Sequence, residues 1–286
     1  MITGVRSRAA RMRSTTFAYA NLLPFIFFAL FPFYFMLITS FKSNAELYNL
    51  KSVPLWIQKG VIVDHYSYLF FRTEFLIWIK NSLLVAVVAT VASVTIAILA
   101  GYSLARLRFR GASSFGTAVF ITYLVPPTLL FLPLSQVVVW LGLADSVAAL
   151  MVTYPTFLVP FCTWLLMGYF RTIPREVEEC ALVDGATRML TLWKIVLPMA
   201  LPGIICAVLF SFTLCWNEFT YALTFISQSA HKTAVVGVTA DLIRGDIYYW
   251  GSLMAGALLA SIPIVIVYVL FLDYYVSGLT AGAVKG

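Results

Sequence analysis

The chain alternates long apolar segments with shorter polar ones, and this alternation organises the whole sequence. Each apolar segment has about 20 or more residues, the length that a helix needs to cross the hydrocarbon core of a bilayer. A spanning segment must also satisfy its own backbone hydrogen bonds, so each is predicted to be a helix. Six spans are predicted, at residues 17–41, 78–102, 115–141, 147–170, 201–226 and 249–276.

The amino-acid composition agrees with a membrane protein. Hydrophobic residues make up 62% of the 286 residues and charged residues 11%, against roughly a quarter charged in ordinary soluble domains. The mean hydropathy is +0.94. The predicted fold class is therefore all-α: a polytopic membrane protein with six transmembrane helices and a helix-turn-helix on the cytoplasmic side.

The positions of the basic residues predict how the spans are oriented. With the N-terminus inside, cytoplasmic segments hold twelve of the 19 Lys and Arg residues and outer segments hold seven. Because cytoplasmic loops are enriched in Lys and Arg, both termini are predicted to be cytoplasmic. Arg106, Arg108 and Arg110 are interpreted as interfacial anchors, with phosphate contact as an alternative. The basic residues are dispersed, which argues against nucleic acid as a partner.

A single membrane domain is the predicted organisation. A basic cytoplasmic N-terminus covers residues 1–16, the membrane domain covers 17–276 with a cytoplasmic loop at 171–200, and a cytoplasmic tail covers 277–286. The arginines before the first span imitate a signal peptide. Its apolar stretch is too long for one and no small-residue cleavage site follows, so an uncleaved anchor is expected.

The loop at 171–200 is predicted to form two short helices outside the bilayer. Pro174 suits the first turn of a helix, and the acidic residues that follow it lie near the positive end of the helix dipole. Gly185 suits a left-handed turn at the end of that helix. Thr187 is positioned to cap a second helix, which Pro198 is predicted to end.

The spacing within this loop resembles the cytoplasmic EAA loop of permease subunits in binding-protein-dependent ABC importers. The pattern of that loop is Glu-Ala-Ala, three residues, Gly, nine residues and Ile-x-Leu-Pro. Cys180 replaces the first Ala, and since it is small and apolar the match is kept. The matching residues are Glu179, Ala181, Gly185, Ile195, Leu197 and Pro198.

The resemblance implies that the loop couples the spans to a separate ATPase subunit. A rigid helix bound in a groove of that subunit can transmit its closure to the membrane domain. An ordinary polar loop with capped helices is the alternative, and helix caps alone fit it well. The residues expected at the ATPase contact are Glu179, Ala181, Asp184, Gly185, Ala186, Ile195, Leu197 and Pro198.

Other segments extend the resemblance over roughly residues 17–286. They are most similar to the smaller six-span subunit of the maltose-permease-like branch. The segments that carry the similarity are Asn81-Ser82, residues 101–111, Val125-Pro126-Pro127, residues 216–219 and residues 278–286.

Glu218 is the one acidic residue predicted well inside a span. A carboxylate there costs several kcal/mol unless it is paired, hydrated or protonated. Together with Trp216 and Asn217 it is predicted to line a translocation path, whose shape Pro126 and Pro127 would set by kinking the third span. The alternatives are that Glu218 bonds a neighbouring helix near the outer interface and that the prolines are structural kinks.

The function implied by the resemblance is import of a sugar or related polyol through an alternating-access path. The implied partners are a second homologous permease, an ATPase dimer, an extracytoplasmic solute-binding protein and membrane lipid, in a bacterial plasma membrane. The chain has no GxxxxGK[ST] loop, so ATP and Mg²⁺ are expected on the ATPase partners and no cofactor on this chain.

Three other functions stay open from the sequence. An importer for a non-carbohydrate solute would share the same loop. A secondary transporter would need an intramembrane cluster of ion-coupling residues, and Glu218 alone does not provide one. A membrane enzyme would need a catalytic constellation, and neither that nor a metal-ligand spacing is present in the sequence.

Overall fold

The computed structural model describes residues 8–107, 109–244 and 247–274. A π-helical turn, Leu192–Val196, and a 3₁₀ turn, Ser229–His231, add to the helices, and the strands β1 Ile243–Arg244 and β2 Ile247–Tyr248 pair antiparallel. The predicted tail 277–286 and residues 1–7 lie outside the described residues. The helices are α1 Arg8–Ser40, α2 Asn44–Leu47, α3 Asp64–Arg72, α4 Phe75–Arg106, α5 Ala112–Leu124, α6 Pro127–Trp140, α7 Val147–Thr153, α8 Pro155–Thr172, α9 Arg175–Val183, α10 Arg188–Thr191, α11 Leu197–Met199, α12 Leu201–Asn217, α13 Thr220–Phe225, α14 Ala234–Asp241 and α15 Trp250–Leu270.

The helical architecture agrees with the predicted fold class, apart from the short hairpin. Within the described residues, four helices are long and apolar enough to cross a membrane, at Tyr19–Ser40, Phe75–Arg106, Val147–Thr172 and Trp250–Leu270. Two further helix pairs qualify when each bent pair counts as one span. The total then reaches six, the predicted number, although the second pair joins Arg188–Met199, from the loop predicted outside the bilayer, to Leu201–Asn217.

The third span is not the continuous, kinked helix that the sequence predicts. Helix α5 ends at Leu124 and α6 starts at Pro127, with a bend of 94° between them. Val125 and Pro126 are extended because each precedes a proline, which disfavours the helical conformation in the residue before it. Two consecutive prolines therefore turn the chain instead of kinking it.

The described residues fall into two compact units. Those up to residue 73 with 242–259 form the first, and those from 74 to 241 with those from 260 onward form the second. The single membrane domain predicted from the sequence stays a prediction.

In the second unit, α4 packs against α8 and α12 through small side chains. Buried small residues recur every three or four positions along α4, which lets neighbouring backbones approach closely, as membrane helix packing requires. A Cβ at Gly101 would lie 3.1 Å from the backbone nitrogen of Met167 on α8. The buried small residues of α4 are Ser82, Ala86, Ala89, Ser93, Ala97, Gly101 and Ala105.

In the first unit, a buried carboxylate orders the loop between α2 and α3. Glu46 accepts hydrogen bonds from the backbone N–H groups of Gln58 (2.9 Å) and Lys59 (3.1 Å), and the Lys42 ammonium lies 3.6 Å away. Burial acts to raise the pKa of Glu46, but these hydrogen bonds and the Lys42 charge lower it below its usual value. The loop is thus closed by polar contacts.

We expect Gly237→Ala to destabilise the protein by about 1–3 kcal/mol, the usual cost of overpacking. A Cβ at Gly237 in α14 would overlap the indole of Trp78, which is buried and donates a 2.8 Å hydrogen bond to the Ser229 carbonyl. Gly168→Ala in α8 is the matched control, because a Cβ there meets no atom within 4 Å. The measurement is thermal unfolding of the detergent-purified protein, and equal midpoints for the two variants would contradict the packing described.

Candidate functional site

The loop at residues 171–200 is called the coupling loop below, after the role that its resemblance predicts. Near its start, Pro174 separates α8 from α9. Pro174 is extended, with φ −58° and ψ 136°, and α9 begins at Arg175. Pro174 is therefore the N-cap residue, one position earlier than the predicted first turn, since proline cannot continue the preceding helix. Glu176 and Glu178 occupy the first turn, where the helix dipole favours negative charge.

The turn of the coupling loop has the predicted left-handed glycine. Gly185 has φ +86°, a backbone conformation that residues with a Cβ rarely adopt. Its N–H donates to the Leu182 carbonyl (3.1 Å), and the Ala186 N–H donates to the Ala181 carbonyl (3.0 Å). These two bonds form a Schellman motif, which ends α9 and satisfies its last carbonyls.

The second helix of the coupling loop is longer than predicted. Thr187 caps it, since its hydroxyl oxygen accepts the Leu190 N–H at 3.3 Å, in agreement with the sequence. Pro198 does not end the helix, however, because the helical run continues to Met199 and bends by 78° before α12. A π-helical turn, in which the Leu197 N–H donates to the Leu192 carbonyl, precedes the proline.

The predicted contact residues divide by exposure. Ala181 is buried, and Ala186, Ile195 and Leu197 are half-buried. Those whose surfaces are open to a partner are Glu179, Asp184, Gly185 and Pro198.

Exposed apolar side chains surround these residues, and the spacing of the motif did not reveal them. Val183 is 87% exposed, Met189 57% and Trp193 56%, and Leu190 is also exposed. Clustered apolar exposure on a polar loop is typical of a protein interface. The signal available in the sequence was apolar residues at positions between those of the motif.

The coupling loop is fixed to the end of α4 by a buried ion pair. Arg106 Nε lies 2.8 Å from Glu178 Oε1, and the two side chains are only 4% and 12% exposed. The Tyr102 hydroxyl donates to Glu178 Oε2 at 3.1 Å, and Arg106 also donates to the Ile173 carbonyl. The sequence interpretation of Arg106 as an interfacial anchor is thus wrong, because its charge is turned inward. Arg108 lies outside the described residues.

Glu218, the candidate path residue, lies at a break in the fifth span. Helix α12 ends at Asn217, and α13 resumes two residues after Glu218, so the predicted continuous span 201–226 is interrupted. The Glu218 carboxylate accepts the backbone N–H groups of Tyr221 (2.8 Å) and Ala222 (3.0 Å) and the Tyr154 hydroxyl (2.8 Å). Glu218 therefore caps α13 and connects it to Tyr154, the residue between α7 and α8. This is the alternative that the sequence left open, a carboxylate bonded to a neighbouring helix.

A cavity of about 840 Å³ opens beside the same break. Its wall combines aromatic rings with a few polar groups, a composition typical of small-molecule sites. Both broken spans contribute to it. The lining includes Tyr123, Val125, Pro127, Thr156, Phe157, Phe161, Phe210, Thr213, Asn217, Glu218 and Phe219.

Of the other predicted path residues, Asn217 and Pro127 line this cavity, whereas Trp216 and Pro126 do not. Asn217 is exposed and its side chain donates to the Thr213 carbonyl at 3.0 Å. Trp216 does not line the cavity, because its indole is 2% exposed, stacks on Phe212 and donates to the Ala260 carbonyl at 3.1 Å. Pro126 is exposed at the turn but is not part of the cavity wall.

Metal-binding chemistry has no candidate site in the part of the chain that the structure describes. Over those residues there is no group of three His, Cys, Asp or Glu side chains able to hold a metal ion. The candidate site consists of an exposed loop and a cavity between broken helices. Broken helices around a cavity in an apolar bundle fit the membrane component of a transport system.

The chain belongs to the family described as "Binding-protein-dependent transport system inner membrane component", whose model matches residues 93–280. It is a permease subunit of an ABC importer and a multi-pass inner membrane protein. The matched region contains both the coupling loop and the cavity.

Two relatives support the same assignment over nearly the whole chain. The inner membrane ABC transporter permease protein YcjP of Escherichia coli is 37% identical over 94% of this chain and 95% of its own length. The trehalose/maltose transport system permease protein MalG of Thermococcus litoralis is 35% identical over 90% of this chain and 92% of its own.

A solved structure shares the fold. A chain of the bacterial ABC transporter involved in the import of the acidic polysaccharide alginate superposes with a TM-score of 0.76. The two sequences are 23% identical, and the superposition covers 96% of this chain and all of the other.

We expect Glu218→Gln to lower stability by about 1–2 kcal/mol, because an amide replaces one of the two oxygens that accept backbone N–H groups. Asn217→Ala is the matched neighbour: its side chain makes one exposed bond within its own helix. The measurement is thermal unfolding and transport of the assembled complex. An unchanged midpoint with altered pH dependence of transport in Glu218→Gln would contradict the capping role and favour a direct role in the path.

Proposed function

We propose that this permease forms, with a second homologous permease, an alternating-access path for a sugar or related polyol. ATP hydrolysis on a pair of ATPase subunits drives the cycle, and an extracytoplasmic binding protein delivers the solute. The chain itself is not an enzyme and holds no cofactor. Both termini are cytoplasmic, which places the coupling loop on the side of the ATPases.

The observation that carries this proposal is the construction of the coupling loop. Its tip presents Glu179 and Asp184 beside the exposed side chains of Val183 and Met189. A surface with both charge and apolar area suits a groove in a protein partner. The buried pair of Arg106 and Glu178 supports rigid transmission, since a load on α9 is passed directly to the end of α4.

The chemistry of the cavity supports a carbohydrate. Aromatic faces such as those of Tyr123 and Phe157 pack well against the C–H faces of a sugar ring, and the Asn217 amide and Thr156 hydroxyl suit its hydroxyl groups. The trehalose/maltose assignment of the T. litoralis relative points in the same direction. An importer for another solute is the alternative, and it would keep the same coupling loop.

Transport is expected only from the complete assembly. Reconstituted alone in proteoliposomes, the chain should give no uptake, because it provides one half of a path and no nucleotide site. With the second permease, the ATPases and the binding protein, we expect ATP-dependent uptake of the solute that copurifies with the binding protein. ATP-independent uptake by the isolated chain would instead identify a secondary carrier, and a non-carbohydrate ligand on the binding protein would contradict the sugar assignment alone.

Gly185→Val should abolish the stimulation of ATP hydrolysis by the binding protein. A left-handed conformation costs a residue with a Cβ about 1–2 kcal/mol, and a β-branched side chain tolerates it least. A Cβ at Gly185 meets no atom within 4 Å, so the effect is on backbone geometry. We expect normal membrane insertion but loss of binding-protein-stimulated ATPase activity in the purified complex.

Gly142→Val is a closely matched control for this change. Gly142 follows α6 with φ +67°, its N–H donates to the Val139 carbonyl, and a Cβ there also meets no atom within 4 Å. It should lose similar stability and keep stimulated hydrolysis. Glu179→Lys, which reverses an exposed charge, should lose stimulation with an unchanged unfolding midpoint. Full stimulation in both loop variants would show that the coupling loop is not the ATPase contact.

A further inference from the structure

A groove of about 910 Å³ lies where three spans end, and it shares no lining residue with the cavity beside Glu218. Its lining comes from the last residues of α4, the first turns of α5 and the last half of α8. Arg106 and Thr172 end two of the candidate spans, and Ala112 begins the third. The groove therefore lies at the membrane interface, on the same side as the coupling loop.

The polar end of the groove carries positive charge without matching carboxylates. Arg106 is occupied by Glu178, but Arg110, Arg171 and Arg175 also line the groove, and all three are exposed. None of these three takes part in an ion pair within the described residues. Arg171 donates one hydrogen bond, to the Met167 sulfur at 3.6 Å. Guanidinium groups that share one groove and have no carboxylate partner favour binding of an anion such as a phosphate, which arginine contacts through two parallel hydrogen bonds.

The other end of the groove is apolar and runs along the spans. Phe120 and Trp164 line it with ring centroids 5.7 Å apart, and they are 37% and 42% exposed. Met167 lies beneath them, next to Gly116, where a Cβ would be 3.6 Å from the methionine sulfur. A free phosphate needs no such wall, whereas an acyl chain does.

We propose that this groove binds an anionic phospholipid. Its headgroup phosphate contacts Arg110, Arg171 and Arg175, and an acyl chain lies against Phe120 and Trp164. Basic pockets between spans at the cytoplasmic side are suited to such headgroups. The ligand class is thus set by two joined features, a cationic end at the interface and an aromatic wall at membrane depth.

The test uses the assembled complex in phosphatidylcholine nanodiscs that contain lipids with brominated acyl chains, which quench nearby tryptophan. The Trp164 signal is the difference between wild type and Trp164→Phe. Brominated phosphatidylglycerol should quench it more strongly than brominated phosphatidylcholine. Arg110→Gln and Arg171→Gln should each reduce this preference roughly fivefold, and Arg110→Lys should retain most of it.

The double variant Lys59→Gln, Arg72→Gln is the charge-matched control. Both side chains are exposed in the first unit, and the two substitutions remove as much positive charge as Arg110→Gln with Arg171→Gln. It should leave the preference unchanged. Equal quenching by the two lipids, or a preference that survives Arg110→Gln with Arg171→Gln, would overturn the proposal. Arginine-dependent binding of inorganic phosphate without quenching would assign the groove to a free anion. Quenching that appears only after the ATPase subunits are removed would assign it to a protein interface.

Discussion

The constraint on which this structure depends is that backbone polar groups inside a bilayer must find partners within the protein. Continuous helices meet it on their own, but two spans are broken, at Pro126 and at Glu218. One break is capped from within its own span, and it also supplies a hydrogen bond to the other. Glu218 caps α13, and the Tyr221 hydroxyl donates to the Pro127 carbonyl at 2.8 Å. Irregular backbone is tolerated at membrane depth where it is buried in protein or lines a cavity, and both breaks border the same cavity.

The ion pair of Arg106 and Glu178 is buried, so its desolvation cost must be offset by other contacts. Removing two charges from water costs several kcal/mol, and their attraction repays this only when the geometry is good and other polar groups help. Here Tyr102 and the Ile173 carbonyl supply those groups. Replacing a buried ion pair by well-packed apolar residues is often neutral or stabilising. The structural consequence of this pair is that it joins α9 to the end of α4 through two buried side chains.

The sequence predicts the spans and the turn of the coupling loop because both depend on local properties. Apolar length is sufficient for a span, and the left-handed position of Gly185 follows from its place after a short helix. The 94° bend could not be predicted in the same way, since two prolines indicate a break and not its angle. The burial of Trp216 and the partner of Arg106 depend on contacts between residues distant in sequence, which a single sequence does not reveal.

Helix α4 contacts both the coupling loop and the helices next to the break at Glu218. It has 32 residues, so it is roughly 48 Å long, and its small side chains keep it in close contact with α8 and α12. One end holds the coupling loop through Arg106. Along its length it packs against α7, α8 and α12, the helices that flank Tyr154 and Glu218. Because densely packed helices are not continuously deformable, α4 is the element that joins the proposed ATPase contact to the helix break beside the cavity.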